Sequence, residues 1–468
     1  MTIEMTPNQE NPWGPLAASA VASMSPQELM RWGQEVDPFG HRVHMFMAMA
    51  WAMSLPIEMV PGLKDITLGC LAGWAILRMM FGGVSHIWHC LYKSPLLWIL
   101  LALPCWSLIT CIWSDQPIWG LEEVGAMRGL VAVFVVYPVL HHITPLIISF
   151  LGGVLIVNAV QILQVADLIP AKKHSYRFAA GGSPNPLGLL LSGGVVIATT
   201  FALTSKHKSG ALIWSFVTAI TFSGIVLVQN RGGILAASIA CIVVTIVGLA
   251  IRHTTWARVP LVVLSGASSL VLLIGIDATF FESRGIAAWT HQFEQTMHEV
   301  QSDDVPAYKS SIGIRKTMWA ASMQLWESHP IVGLGAGGMG MHLEVWPDLT
   351  HFNEIDKHGK PIPRDFHPHS TWCWILASTG LIGGLLLFAM LVLTSIAYAQ
   401  RLAAQPIMLA SIGLLTAWCI ANTFDSLLLT GQTAAMLGLI LCGAFSEPST
   451  RSDLGIRQQP PCSSGKCA

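Results

Sequence analysis

"RDFHPHSTWCWILASTGLIGG", residues Arg364–Gly384, changes character partway along. It opens with Arg364, Asp365, His367 and His369, then runs on from Thr371 almost without polarity. A chain that passes from charge into a long apolar run is entering a membrane helix, which needs about 20 apolar residues to cross about 30 Å of hydrocarbon. Two histidines therefore stand at the lip of a span. The side of the membrane that this lip faces decides what they can do.

The whole chain reads the same way. Of its 468 residues, 53% are hydrophobic and 11% charged, against about 25% charged in a soluble domain. So few charges cannot cover a water-facing surface, so the expected fold is an all-α polytopic membrane protein. A net charge of −1 gives no field that would draw nucleic acid. Twelve apolar segments are long enough to span: roughly 43–60, 65–83, 95–113, 124–140, 143–164, 186–204, 210–229, 232–251, 259–277, 372–399, 406–424 and 431–447. The expected organisation is an interfacial N-terminal segment 1–40, nine helices over 41–277, a long loop 278–371, three helices over 372–447 and a tail 448–468. The ten cysteines fall mostly inside apolar runs, with no even-spaced set in a polar loop that would form a disulfide framework.

Basic residues of short loops orient such a chain, because they stay in the cytoplasm. Lys93, Lys206, Lys208, Arg252, Arg258 and Arg401 share one side. The long loop then lies on the other, periplasmic side. Long loops escape the charge rule, but the short loops carrying Arg177 and Arg231 do not, so those cations need another reason. An anionic ligand at the outer surface would supply it.

Within the long loop, "IRKTMWAASMQLWESHP" reads as an amphipathic helix with Ile314, Met318, Ala321 and Leu325 on one face and Pro330 ending it. Trp319 and Trp326 suit the lipid headgroup level. Arg315 falls in its first turn, where the helix dipole does not favour a cation. It is either solvated or gripping an anion together with backbone N–H groups. "GLGAGGMG" contains a G-x-G-x-x-G match, but no strand precedes it, so it reads as a turn or backbone nest. Eight of the 17 histidines fall in this loop, yet no H-x-x-x-H helix pair or HExxH motif accompanies them, so no metal is assigned.

Four stretches together resemble the O-antigen ligase and polymerase superfamily of bacterial membrane glycosyltransferases. "YRFAAGGSPNPLGLLLSG" is similar to its Arg–Gly–Pro–Asn segment, and "QNRGGILAASIACIVV" to its Ser-Arg-Gly signature with Asn230 in the serine position. "RKTMWAASMQLWESHPIVGLGAGG" resembles its Arg-x-x-x-Trp helix followed by His-Pro-x-x-Gly-x-Gly. "HPHSTWCWILASTGLIGG" resembles its His-Asn segment, with Ser370 where asparagine is usual. The resemblance covers about residues 175–400.

It implies a GT-C-like fold in the inner membrane and a cofactor-free, metal-independent, inverting transfer at the periplasmic face. The donor would be a glycan on undecaprenyl diphosphate. The acceptor would be a sugar hydroxyl on lipid A core, as in lipopolysaccharide biosynthesis, or on another glycan. Carried over residue by residue, His369 is the catalytic base, and Arg177, Arg231 and Arg315 hold the diphosphate. The chemistry agrees: preorganised guanidiniums stabilise a leaving diphosphate, and histidine titrates in the range a general base needs. Without the resemblance, the better reading of His369 is a histidine satisfying backbone groups at a helix start. Lys172, Lys173, Arg128, Arg364 and His367 are weaker candidates. "GLIGG" reads as close helix packing. The alternatives are a polysaccharide polymerase, a protein O-glycosyltransferase on the same donor, or a flippase for lipid-linked glycans.

Overall fold

Proline in the first helical turn, where the missing N–H has no bond to lose, starts several helices of this chain. The computed structural model describes residues 24, 26–60, 62–81, 85–170, 179–251, 253–280, 294, 311–342 and 368–446. Helix α1 is Pro26–Val36 and α2 is Pro38–Ser54, the latter capped by Asp37, whose Oδ1 accepts from Gly40 N–H at 2.8 Å. Next come α3 (Leu63–Phe81), α4 (Pro95–Thr110), α5 (Pro117–Ala126), α6 (Ala132–Val136) and α7 (Ile143–Val165). They are followed by α8 (Pro184–Thr204), α9 (Lys208–Val228), α10 (Arg231–Ala250) and α11 (Val259–Phe280). Beyond them lie α12 (Ser311–Ser328), α13 (Thr371–Leu402), α14 (Ile407–Phe424) and α15 (Gly431–Phe445). The described residues contain no strand.

Helical structure overlies each apolar segment of the sequence. Among the described residues, six helical stretches are long and apolar enough to cross a membrane: Pro117–Val165, Pro184–Thr204, Lys208–Val228, Arg231–Ala250, Thr371–Leu402 and Ile407–Phe424. Pro95–Thr110 and Gly431–Phe445 are apolar but shorter. The architecture is that of a multi-pass membrane protein. The segment read as a regular span over 124–140 is not regular. It is α5, a 3₁₀ turn Met127–Val131, the short α6 and a second 3₁₀ turn Tyr137–His142. Pro138 has no N–H to give. Gly129 packs so tightly on Ala435 of α15 that a Cβ there would overlap the Ala435 backbone.

Helix α8 runs through the middle of the bundle, and almost all of it is buried. Lipid tails are as apolar as leucine, so helices in a bilayer associate through close packing and interhelical hydrogen bonds rather than hydrophobic transfer. Both are visible here. Gly188 of α8 meets the Asn230 side chain, and Gly413 of α14 meets Val196 and Val244. The buried Ser192 hydroxyl bonds the carbonyls of Gly188 at 2.6 Å and Gly233 at 2.8 Å, which ties α8 to α10.

Alternate helix ends gather on each face. On one face, Glu58 Oε2 accepts from Ser183 N–H at 2.7 Å, and Arg128 pairs with Asp65 at 3.0 Å. On the same face Asn230 Nδ2 donates to the Pro184 carbonyl at 3.0 Å. On the other, Arg258 Nη1 donates to the Leu203 carbonyl at 2.6 Å, and a His253 ring nitrogen lies 2.8 Å from the Leu402 carbonyl.

Candidate functional site

Two of the sequence motifs meet each other directly. Asn230 is the N-cap of α10, and its Oδ1 accepts from Gly233 N–H at 2.5 Å, which is the ordinary work of an asparagine before a helix. Its amide also donates to Asn185 Oδ1 at 3.1 Å. A Cβ at Gly233 would lie 2.8 Å from the Gly188 carbonyl oxygen, so only glycine lets α8 and α10 cross this closely. Arg231 is the first residue of α10 and is exposed at this crossing.

The glycine-rich stretch after α12 is spliced into α13. Leu334 and Gly335 N–H donate to the Ala377 and Ser378 carbonyls, each at 2.9 Å, and Leu381 N–H donates to the Pro330 carbonyl at 2.9 Å. Gly380 is non-helical, with φ 69 and ψ −168, and a Cβ there would overlap the Ile331 carbonyl. "GLIGG" therefore breaks α13 rather than packing a continuous helix, because the Pro330–Gly335 backbone takes over its hydrogen bonds. Nor is "GLGAGG" an open anion nest. Residues Gly333–Gly340 are buried, and Gly337 N–H donates to Glu123 Oε2 at 2.8 Å.

This splice anchors α12, whose Met318, Ala321 and Leu325 are buried as the periodicity requires. The described part of the helix begins at Ser311, and Arg315 stands one turn along it. Arg315 Nε donates to the Phe424 carbonyl at 3.1 Å, where α14 ends. Burial lowers the Arg315 pKa below the usual arginine value; Asp425 opposes that shift and Arg231 adds to it. Trp319, one turn on, stacks 6.5 Å from the Phe424 ring and so faces protein rather than headgroups.

His369 completes the cluster, though not from the helix itself. α13 begins at Thr371, with Ser370 as its N-cap. His369 lies before the cap in a left-handed conformation, φ 47, which is uncommon outside glycine and carries strain. Neighbouring bonds hold it there. Its Nδ1 lies 3.1 Å from Asp425 Oδ1, Ser370 N–H donates to Ser426 Oγ at 3.0 Å, and Thr371 Oγ1 donates to Asn422 Oδ1 at 2.5 Å. Asp425 Oδ1 also accepts from Ser426 N–H at 2.8 Å.

Three of the residues picked from sequence thus lie around the end of α14. His369 bonds Asp425, Arg315 bonds Phe424, and Gly232 beside Arg231 lies against the Phe424 side chain. Arg128 is elsewhere on this face, paired to Asp65 and to the Gly125 carbonyl at 2.8 Å. Arg177, Lys172, Lys173, Arg364 and His367 lie outside the described residues. Asp425 went unnoticed in the sequence. "FDSLLLTG" reads there only as an acidic loop, although a carboxylate directly after an apolar span is a functional hint in its own right.

Residues 214–389 match the family described as O-antigen ligase. The match runs from within α9 to within α13 and takes in Arg231, Arg315 and His369, while Asp425, Arg128 and Arg177 fall outside it. It bears out the family resemblance read from the motifs. No curated protein matches the chain.

Proposed function

From an O-antigen ligase family segment that carries Arg231, Arg315 and His369 of this cluster, we propose a ligase-like membrane glycosyltransferase. It moves a glycan from undecaprenyl diphosphate to a sugar hydroxyl of lipid A core at the periplasmic face of the inner membrane. The observation that carries this reading is the contact of His369 Nδ1 with Asp425 Oδ1 at 3.1 Å, beside Arg315.

A carboxylate on Nδ1 fixes the imidazole tautomer, with the proton on Nδ1 and the lone pair on Nε2. Nε2 takes the proton of the acceptor hydroxyl as its oxygen attacks the anomeric carbon. The bond from that carbon to the diphosphate oxygen breaks on the opposite side, so configuration inverts. The departing diphosphate gains charge, and Arg231 and Arg315 stabilise it as fixed, preorganised cations. Asp425 stabilises the imidazolium that forms. His369 sits at the lip of a span because a lipid diphosphate presents its reacting bond at headgroup depth. Arg177, which precedes α8 in the sequence, belongs to the same clamp in this reading. No step calls for a metal ion.

The test is transfer by the purified protein from an undecaprenyl diphosphate-linked glycan to lipid A core, with and without chelator. Glycosylated lipid A core at a chelator-independent rate is the expected product. Polymerised lipid-linked glycan with an untouched lipid A core would make the protein a polymerase instead, and strong inhibition by chelator would overturn the metal-free mechanism.

A further inference from the structure

Helix α8 opens with Ser183, Pro184, Asn185 and Pro186. Its two prolines have no N–H to leave open. A capping box needs a Glu or Gln at the third helical position to reach back to the N-cap N–H, and Pro186 stands there. That bond comes instead from a distant segment. Glu58, on the turn after α2, accepts from Ser183 N–H at 2.7 Å through Oε2. Gly182 makes room for the carboxylate, since a Cβ there would overlap Glu58 Oε2.

The turn before α8 is strained and is held from a second side. Ala180 has a left-handed backbone, φ 47, and the buried Gln164 of α7 accepts its N–H at 3.1 Å. The described residues other than glycine with such a backbone are Asp167, Ala180, Gln229 and His369, and all four lie at the end of the bundle that carries His369. Strain of this kind clusters at functional sites. Asn230 follows Gln229 and donates from Nδ2 to the Pro184 carbonyl at 3.0 Å and to Asn185 Oδ1 at 3.1 Å. Arg231 is the next residue, and its charge is felt at Arg315. A continuous path thus runs from Glu58 through Ser183–Asn185 and Asn230 to the backbone of Arg231.

We propose that Glu58 is a positioning residue for the donor clamp. By holding the first turn of α8 it sets the Asn230 side chain, and through it the place of Arg231. The inference rests on the reading of Arg231 as a diphosphate ligand. A carboxylate is itself repelled by a diphosphate, so Glu58 aids binding through the backbone and against its own charge.

The experiment is a titration of the purified full-length protein with undecaprenyl diphosphate, read by native mass spectrometry. Glu58→Ala should weaken binding about tenfold, the scale of one charge-assisted hydrogen bond. Charge alone would change it the other way, since losing a carboxylate favours an anion. Glu58→Gln keeps an amide oxygen that accepts from Ser183 N–H and should bind as tightly as wild type. In an Arg231→Gln background Glu58→Ala should cost nothing further, because residues that act through one another are non-additive. Should Glu58→Ala not fold, Ser183→Pro takes its place: it deletes the N–H that Glu58 accepts, at a φ of −81 that proline adopts, and should show the same tenfold loss. Wild-type affinity in the variant that lacks this bond, an equal loss in Glu58→Gln, or a full tenfold loss on top of Arg231→Gln would overturn the inference and leave the clamp standing. Wild-type affinity in Arg231→Gln would remove the clamp itself, and the inference with it.

Discussion

His44 and His369 sit at opposite ends of the bundle and are held in opposite ways. His44 is fully buried: its Nε2 lies 2.5 Å from the Val135 carbonyl and its Nδ1 lies 3.1 Å from Arg78 Nη1. Arg78 in turn donates from Nε to Asp37 Oδ2 at 2.8 Å. Both imidazole nitrogens are therefore engaged by the fold, and a proton cannot pass through them without breaking it. His369 is held through Nδ1 by a carboxylate, keeps a third of its side chain exposed and sits on a strained left-handed backbone. Strain of that kind persists only where the surroundings over-determine it. A histidine bonded on both sides to backbone and arginine belongs to the structure, whereas one oriented by a carboxylate at an open lip is the arrangement that the proposed general base requires.

That contrast should appear first and most strongly in rates. His369→Ala should lower transfer by about 10² to 10⁴, the usual scale of general acid–base catalysis, while the lipid-linked donor still binds. Single-turnover kinetics with purified protein would show it. Arg231→Lys and Arg315→Lys should each lose about 10- to 100-fold, since a lysine keeps the charge but not the two-pronged grip. Near wild-type turnover in both would remove the diphosphate clamp. His44→Leu should instead leave turnover per folded molecule unchanged and lower stability by about 1–3 kcal/mol, seen as a lower thermal midpoint. A rate defect with normal stability there would erase the distinction between the two ends. Smallest of all, Arg128→Gln should cost under about 1 kcal/mol, because its pair with Asp65 is half exposed.

What was legible in the sequence is what local pattern encodes. The 3.6-residue periodicity of 314–325 gave the buried face of α12, and the apolar run 232–251 gave the body of α10. Arg231, Arg315 and His369 stood in motifs whose spacing survives in the fold. What could not be read depends on contacts between distant segments. Asp425 is 56 residues from its partner His369, and no short-range pattern links them. Gly380 looks like a small residue for helix packing until Pro330–Gly335 is seen to take its hydrogen bonds. His369 looks like the first residue of a helix after Pro368. Its place before the cap follows from Ser426 and Asp425 holding that turn, and neither is near in sequence.

The unit formed by His369 and Asp425 is best tested by a double-mutant cycle on the transfer rate. Asp425→Asn alone should cost about 10- to 100-fold, the worth of a charge-assisted hydrogen bond. If the carboxylate acts only through the imidazole, the double variant Asp425→Asn/His369→Ala should be no slower than His369→Ala alone, since residues that work as a unit are non-additive. Fully additive losses would mean that Asp425 acts independently of His369, and would contradict the pairing on which this mechanism rests.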